Sequence, residues 1–417
     1  MKIRLWKGYH SESLRGLLAQ TWANDELLIL TPPFLKDLDF VCQLPAGEIE
    51  FCGEWAGLEI ERESFESREY PVAPVLGVFT TGTVSGLPRL VLYSKANIES
   101  SLDAILALFD RSRIESVFCY PQPFHTFGLI LGYALPLLRG FELVTGTGKY
   151  SKSFHELRAS LKTEGLLTLG TPTHFHDLLQ YVQDERCELA HSYTAIVGGA
   201  KVTTTLWRQL RDVLHISQPS IGYGATEASP GITHLPPGRE PLEDGEVGFP
   251  FPHLAVQMHA GRGLEFSGAS LCTAMIQNGR LEFPTSVMIS DDVRQRADGR
   301  LVYHGRTELI LNRGGQKYSL EHIEEIVRSR LALDVVCVSL PDDRLGEDLG
   351  VLLRAHSGDE SRAEFERVHE MVCQAFDSKF DLANFVGVPD FPMNENSKVD
   401  RRSGAELCLR LRNRGEA

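Results

Sequence analysis

The sequence predicts an α/β protein with a large N-terminal domain and a small α+β C-terminal domain. Three observations carry that prediction. Apolar runs of strand length alternate with segments of helical spacing between residues 75 and 214, the texture turns to glycine-punctuated short strands near 240, and it changes again near 305. A chain of 417 residues is long enough for two or three domains with sizeable cores.

Taken in order, residues 75–79 and 90–93 are apolar runs around a Thr/Gly/Ser-rich stretch, which predicts strand, flexible loop, strand. Ile98, Leu102, Ile105, Leu106 and Phe109 recur at helical spacing over residues 96–109. The apolar run 127–138 contains Gly and Pro and falls short of the about 20 residues a membrane span needs. It predicts a buried strand or helix. A helix near 154–163, a strand at 166–169, a helix at 173–183, a strand at 194–198 and a helix at 203–214 follow, an alternation that favours a largely parallel sheet. Short strands are expected at 254–258 and 281–283. Residues 301–311 predict paired strands, 319–331 a helix opened by Ser319, 334–340 and 349–355 two strands, and 362–377 a helix. A Pro/Asn-rich loop at 388–397 completes this unit. The boundary is placed at 305–309, where Gly305-Arg306 interrupts the strand pattern, giving domains 1–304 and 305–417.

Charge narrows the function classes. The 42 Lys and Arg against 56 Asp and Glu give a net charge of −14, which argues against a nucleic-acid or anionic-membrane footprint. The first 16 residues hold no apolar stretch long enough for a signal peptide. Eight scattered cysteines without a C-x-x-C pair suit reduced thiols and a cytoplasmic location better than disulfides or a zinc site.

Four segments carry chemistry. In residues 79–89 small side chains would let backbone N–H groups and hydroxyls converge on a phosphate, with Arg89 adding charge, although a plain surface turn has the same composition. No Gly-Lys-Ser/Thr follows at Walker spacing, and at Thr147-Gly-Lys149 the next residue is Tyr150. In Gly222-Tyr-Gly-Ala-Thr-Glu227, ending a short loop after the 203–214 helix, Tyr223 offers a flat face for a base, Thr226 a hydroxyl and Glu227 an oxygen ligand for Mg²⁺. A turn with an exposed acid is the plainer alternative. An Asp of Ser290-Asp-Asp-Val293 and Arg306 of Gly305-Arg-Thr-Glu308 would suit ribose hydroxyls, or a surface ion pair. Lys398 sits on a polar loop near the end. His174 and His176 form an H-x-H pair at a helix start, where the side chains diverge, so no metal pair is expected.

In this order the segments resemble the acyl-adenylate-forming superfamily, which holds acyl- and aryl-CoA synthetases, peptide-synthetase adenylation domains and beetle luciferases. Thr80 to Arg89 resembles the phosphate loop T-S-G-T-T-G-x-P-K, and Pro123-Phe-His125-Thr-Phe-Gly128 resembles, one residue short, P-x-x-H-x-x-G. Gly198-Gly199-Ala200 resembles G-G-A, Tyr223 to Glu227 is similar to Y-G-x-T-E, and Ser290 to Val293 resembles T-G-D-L. Gly305-Arg306 resembles the G-R before the hinge, and Asn394 to Arg401 the terminal G-K-V-D-R.

The resemblance implies roles, residue by residue. Thr80, Thr81, Gly82, Thr83, Ser85 and Gly86 would wrap the ATP phosphates, with Arg89 beside them. Tyr223 would pack on adenine with Gly199, Ala200 and Gly222 alongside. Thr226 would touch the α-phosphate, Glu227 would hold Mg²⁺, and Asp292 and Arg306 would take the ribose. Lys398 would bridge the attacking carboxylate and the α-phosphate. In a second half-reaction a thiol attacks the acyl-adenylate: the C-terminal domain turns about Glu308, and the loop carrying Gly314 and Gly315 comes in beside the thiol arm, near His125. The implied cofactors are ATP and Mg²⁺. The implied partners are a carboxylic acid and either CoA or an acyl carrier protein, the carrier being favoured by Asn312, where some members have lysine, and by the absence of a basic cluster for the CoA 3′-phosphate.

Departures qualify the implication. The phosphate loop has one extra residue, Arg89 stands for lysine, Asp291 for Gly, and Ser397 for the Gly before Lys398. Fewer residues precede the loop than in typical members, so the first N-terminal subdomain is expected to be truncated, opening the site or exposing a surface for a partner. Residues 170–175, 198–200 and 225–232 would line the acid pocket, and they hold no Asp to greet an amino group, so an aryl or medium-chain fatty acid is expected. The alternatives are a non-catalytic nucleotide- or acyl-binding subunit descended from such a ligase, and an amine as acceptor.

Overall fold

The computed structural model describes every residue except 33–34, 36–37, 56–68, 81–88, 146–164, 185–191, 260–261, 278, 307–308, 314–315, 343, 355–359, 377, 394–398 and 415–417. The chain forms two compact units. Met1–Ala260, Leu264–Ile289 and Val293–Tyr303 make one; Gly261–Gly263, Ser290–Asp292 and His304–Ala417 make the other.

The larger unit holds a seven-stranded sheet in the order Arg280–Glu282, Ala274–Gln277, Arg89–Tyr93, Leu76–Thr80, Leu27–Thr31, Lys2–Lys7, Glu48–Gly53. Leu27–Thr31 is buried along its whole length, as suits a strand between two parallel neighbours. Leu76–Thr80 runs antiparallel to Arg89–Tyr93 with Thr80 opposite Arg89. The elements before residue 54 are absent from the sequence reading. Lys2–Lys7 alternates charged and apolar residues only as far as Leu5, and its role is set by Leu27–Thr31 and Glu48–Gly53 pairing on either side.

A nine-stranded sheet carries the parallel core of the same unit, with Glu142–Thr145, Ser116–Cys119, Leu166–Gly170, Ser192–Val197 and Ile216–Gly224 side by side. Helices Pro172–Asp184 and Thr204–Asp212 cover it, burying Phe175, Leu179, Leu206, Trp207 and Leu210 against Phe118, Ala195 and Val197. Burial of each such large apolar side chain contributes about 1.5–3 kcal/mol. The expected helix near 154–163 lies outside the described residues. The apolar run 127–138 is a wide-turned helix, Phe127–Ala134, continuing as the α-helix Leu135–Arg139. It packs so closely that a Cβ on Gly132 would lie 2.2 Å from the Cys119 sulfur.

The structure corrects two expectations and adds elements on either side of a third. Residues 301–311 do not pair with each other: Leu301–Arg306 pairs with Glu246–Pro250, while Ile310–Arg313 pairs with Gln316–Ser319 and Gly346–Arg354. A strand-forming pattern does not name its partner. Residues 216–224, expected as the loop after the 203–214 helix, are a strand held between Ser192–Val197 and Gly231–Leu235. The loop expected at 388–397 is preceded by a strand, Phe385–Val388, parallel to Gly346–Arg354, and followed by the helix Arg401–Arg414.

The smaller unit is a sheet in the order Gln316–Ser319, Ile310–Arg313, Gly346–Arg354, Val335–Asp342, with Phe385–Val388 also against Gly346–Arg354. The helices Leu320–Leu331 and Glu360–Ala375 bury Ile323, Val327, Val368 and Val372 in one core. Arg401–Arg414 buries Cys408 in another, with Val336, Val338 and Leu352. Ser319 caps Leu320–Leu331, its hydroxyl accepting from the His322 N–H, an arrangement that contributes about 1 kcal/mol. Among the described residues no helix is long and apolar enough to cross a membrane. Each described cysteine is a free thiol.

Candidate functional site

Four parallel strands end on one edge of the nine-stranded sheet, and the chain leaves them as residues 120–126, 171–175, 198–200 and 225–228. The carboxyl edge of an open α/β sheet is where ligands are received, because backbone groups freed at strand ends converge there. Three segments singled out from the sequence therefore share one edge, although they are separated by many tens of residues.

Glycine is required where backbones meet. Gly198 donates its N–H to the Gly170 carbonyl at 3.1 Å, and a Cβ on Gly198 would lie 2.8 Å from the Gly222 carbonyl oxygen. Gly199 adopts a left-handed φ of +82°, and it and Ala200 are exposed. Gly222 and Tyr223 lie within the strand rather than in the expected loop. The Tyr223 ring is half-buried, 5.7 Å from the Tyr303 ring. At Gly224 a Cβ would meet the Pro230 carbonyl oxygen at 1.7 Å, so the two antiparallel strands touch there backbone to backbone.

Thr226 and Glu227 occupy the tight turn Thr226–Ala228. Glu227 is buried at 7 % exposure, and its carboxylate meets Arg89 Nη1 at 2.9 Å. Arg89 Nε also donates to Gln277 Oε1 at 3.1 Å. The residue expected beside the phosphates is thus the counter-ion of the residue expected to hold the metal, because strand pairing puts Arg89 at the end of the hairpin. The Glu227 carbonyl accepts from the Cys272 N–H at 2.8 Å.

Tyr93 is the residue the sequence reading missed. Its hydroxyl donates to the Thr226 carbonyl at 2.7 Å and lies 3.1 Å from the Thr126 hydroxyl. It therefore ties the His125-Thr126 segment to the Thr226-Glu227 turn. Complete burial pushes its phenol well above the ordinary tyrosine value and keeps it a donor. The available signal was a hydroxyl at the end of an otherwise apolar strand. His125 is half-buried, with its ring 4.7 Å from the Phe124 ring and its N–H donating to the Gln122 carbonyl at 3.0 Å. Thr80 is half-buried at the end of its strand.

In the smaller unit the Arg306 guanidinium Nε lies 3.7 Å from Asp291 Oδ1, and the Arg306 N–H donates to Glu321 at 3.2 Å. Asp291 and Asp292 alternate across their strand, so Asp292, the expected ribose ligand, faces the other way from Asp291. Residues 393 and 399 form a β-bridge, and the Asp400 N–H donates to the Pro392 carbonyl at 2.9 Å. Arg401 anchors the end of this segment through a two-pronged contact with Glu324 and a bond to the Cys337 carbonyl. Thr81, Gly82, Thr83, Ser85, Gly86, Glu308, Gly314, Gly315 and Lys398 lie outside the described residues.

The residues present fit Mg²⁺ in one mode. Among the described residues no group of three His, Cys, Asp or Glu side chains could hold a metal. Mg²⁺ is commonly held by one or two carboxylates with substrate phosphates and water, which a single buried Glu227 suits.

Residues 44–263 match the family described as AMP-binding enzyme. A mitochondrial medium-chain acyl-CoA ligase of Bos taurus is 24 % identical over 352 residues, covering 79 % of this chain and 56 % of the relative. A putative acyl-CoA synthetase of Bacillus subtilis is 24 % identical over 375 residues, covering 80 % and 63 %. The chain thus spans about half the length of the first of these curated relatives. An o-succinylbenzoate CoA synthetase of Bacillus subtilis, solved with its acyl-adenylate intermediate, superposes with a TM-score of 0.74 at 16 % identity, covering 96 % of this chain and 87 % of that one. Because the family match takes in more than half of the sequence and the fold agrees along nearly all of it, the chain belongs to the AMP-binding enzymes of the acyl-adenylate-forming superfamily.

Proposed function

We propose that this protein is an AMP-forming acid:thiol ligase, which activates a carboxylic acid with ATP and passes the acyl group to a thiol. The observation that carries this reading is the carboxyl edge of the parallel sheet, where the Gly198–Ala200 turn, Tyr223 and the Thr226-Glu227 turn stand together and one tyrosine, Tyr93, bonds the last of them to the His125 segment.

In the first step a carboxylate oxygen bonds to the α-phosphorus, the bond from that phosphorus to the bridging oxygen breaks, and pyrophosphate leaves with the electron pair. Tyr223 and the bare Gly198–Gly199 backbone would receive adenine. Thr226 would orient the α-phosphate. Lys398 would offset negative charge building on the attacking and phosphoryl oxygens, so no general base is needed. Mg²⁺, held by Glu227, would supply charge neutralisation at the phosphates. In the second step a thiolate attacks the acyl carbon and AMP departs. The curated relatives are acyl-CoA ligases, which favours CoA as the acceptor over a carrier protein; a medium-chain or aryl acid remains the expected class.

The test is acid-dependent release of pyrophosphate from ATP and Mg²⁺ with a panel of aryl and fatty acids, for wild type and Lys398→Ala, without thiol. Release by wild type that falls by about 100-fold or more in the variant supports the reading. No release with any acid, while ATP still binds, overturns it in favour of a nucleotide-binding subunit. Adding CoA or an acyl carrier protein in parallel reactions then identifies the acceptor.

A further inference from the structure

One buried polar network centres on His10, a residue given no role above. His10, after the strand Lys2–Lys7, is buried with Nε2 3.3 Å from the Tyr120 carbonyl oxygen and Nδ1 3.1 Å from the Tyr133 hydroxyl. A carbonyl only accepts, so Nε2 carries the proton and Nδ1 accepts from the Tyr133 hydroxyl. The oxygen of that hydroxyl accepts in turn from the Ser11 N–H at 3.3 Å. Each ring nitrogen therefore has one defined role, and the His10 ring lies parallel to Tyr133 at 5.9 Å.

The network continues towards the sheet edge. The Tyr120 ring stacks on His174 at 5.2 Å and 11°. His174 Nδ1 accepts from the Thr171 N–H at 3.0 Å and lies 2.9 Å from the Thr171 hydroxyl. Thr171 Cγ2 would be 3.4 Å from a Cβ on Gly199. On the other side, Tyr9 packs edge-on against Phe124 at 6.0 Å, one residue before His125. Residues 9–11 thus reach the strand-end segment 120–125 directly and, through the Tyr120 ring, the segment 171–174, which belongs to the wall expected around the acid.

The geometry points to His10 as a positioning residue for the acid subsite: it fixes the Tyr120 end of one strand and, through the Tyr120–His174 stack, the Thr171 turn of the next. The inference rests on the proposed function. ATP would be bound by other elements, so the acid side alone should feel the loss of His10.

The test compares wild type with His10→Leu, which removes both ring contacts, His10→Gln, which keeps a donor and an acceptor, and Tyr133→Phe, which removes only the hydroxyl. The measurements are separate KM values for acid and ATP, and amide hydrogen exchange. His10→Leu should raise the acid KM about tenfold while leaving the ATP KM within about twofold, and His10→Gln should restore most of the loss. Amides of residues 166–175 should exchange faster in His10→Leu and Tyr133→Phe. Equal changes in both KM values, or none, would overturn the inference. If wild type itself activates no acid, the proposed function fails, and the acid-subsite inference fails with it. The exchange arm then reports separately on the physical link: faster exchange spreading to Thr171 supports it, and exchange confined to residues 8–14 overturns it. Should His10→Leu not fold, Tyr133→Phe carries the same comparison.

Discussion

Replacing Arg89 with Met tests whether the Arg89–Glu227 pair is a structural clamp that a cation would replace. The substitution keeps the stem that runs along the strand and removes the charge. At the observed 2.9 Å separation an effective dielectric constant of about 20 gives a gross attraction of about 6 kcal/mol. Most of that is offset by desolvating the two ions. Truncating one member of a buried pair costs about 3–5 kcal/mol because it leaves the other charge stranded. Glu227 has a side chain only 9 % exposed, but Arg89 is 32 % exposed, so solvent screening reduces the expected loss to about 2 kcal/mol. With about 2.1 cal/mol/K of unfolding entropy per residue over the larger unit of about 300 residues, Tm should fall by about 3 °C. The same change leaves Glu227 without its cation, so adding Mg²⁺ and ATP should raise the Tm of Arg89→Met more than that of wild type. Differential scanning calorimetry with and without Mg²⁺ and ATP measures both quantities. An unchanged Tm would show that the pair contributes nothing to stability. An equal rise in the two proteins would refute the idea that Arg89 and a cation share Glu227.

Two further predictions concern the larger unit. Burial holds His10 and His174 down to about 4 and His234 down to about 3, so all three are neutral in the fold and take up protons in the unfolded chain below about pH 6.5. Their contribution is fully present above pH 6.5 and is lost as pH falls towards 4, by up to about 1.4 kcal/mol per pH unit for each; urea midpoints at pH 7, 6 and 5 measure it, and a flat profile contradicts it. Gly224→Ala must push apart the backbones of neighbouring strands, since its Cβ would lie 1.7 Å from the Pro230 carbonyl oxygen, and it should cost about 3 kcal/mol and lower pyrophosphate release by about 100-fold. Gly16→Ala, in the helix Glu12–Ala23 with open space around it, is the control and should stabilise by about 0.5–1 kcal/mol.

Local signals were legible where one element decides its own conformation. The helix Leu320–Leu331 follows from its apolar spacing and Ser319 cap, and Leu76–Thr80 and Arg89–Tyr93 follow from apolar runs around small residues. Strands whose stability comes from their neighbours were not legible. Lys2–Lys7 is a strand because parallel partners flank it, and Ile216–Gly224 because it fills the gap between Ser192–Val197 and Gly231–Leu235. Leu301–Arg306 and Ile310–Arg313 were each expected as strands, but partner choice depends on where the rest of the chain has gone.

The sequence by itself determined the chemistry on offer: a small-residue loop after Thr80, glycines at 198, 199, 222 and 224, an acid at 227 and an ordered set of motifs that resembles one superfamily. Tertiary structure decided which of these groups meet. It paired Arg89 with Glu227, made Tyr93 the bond between the Thr126 and Thr226 segments, and placed Asp291 beside Arg306. The reason is one of range. Propensity, capping and glycine freedom act within a few residues and can be read along the chain, whereas hydrogen bonds and ion pairs act over about 3 Å in space. Only the packed sheet brings residues 89 and 227, or 10 and 120, within that distance.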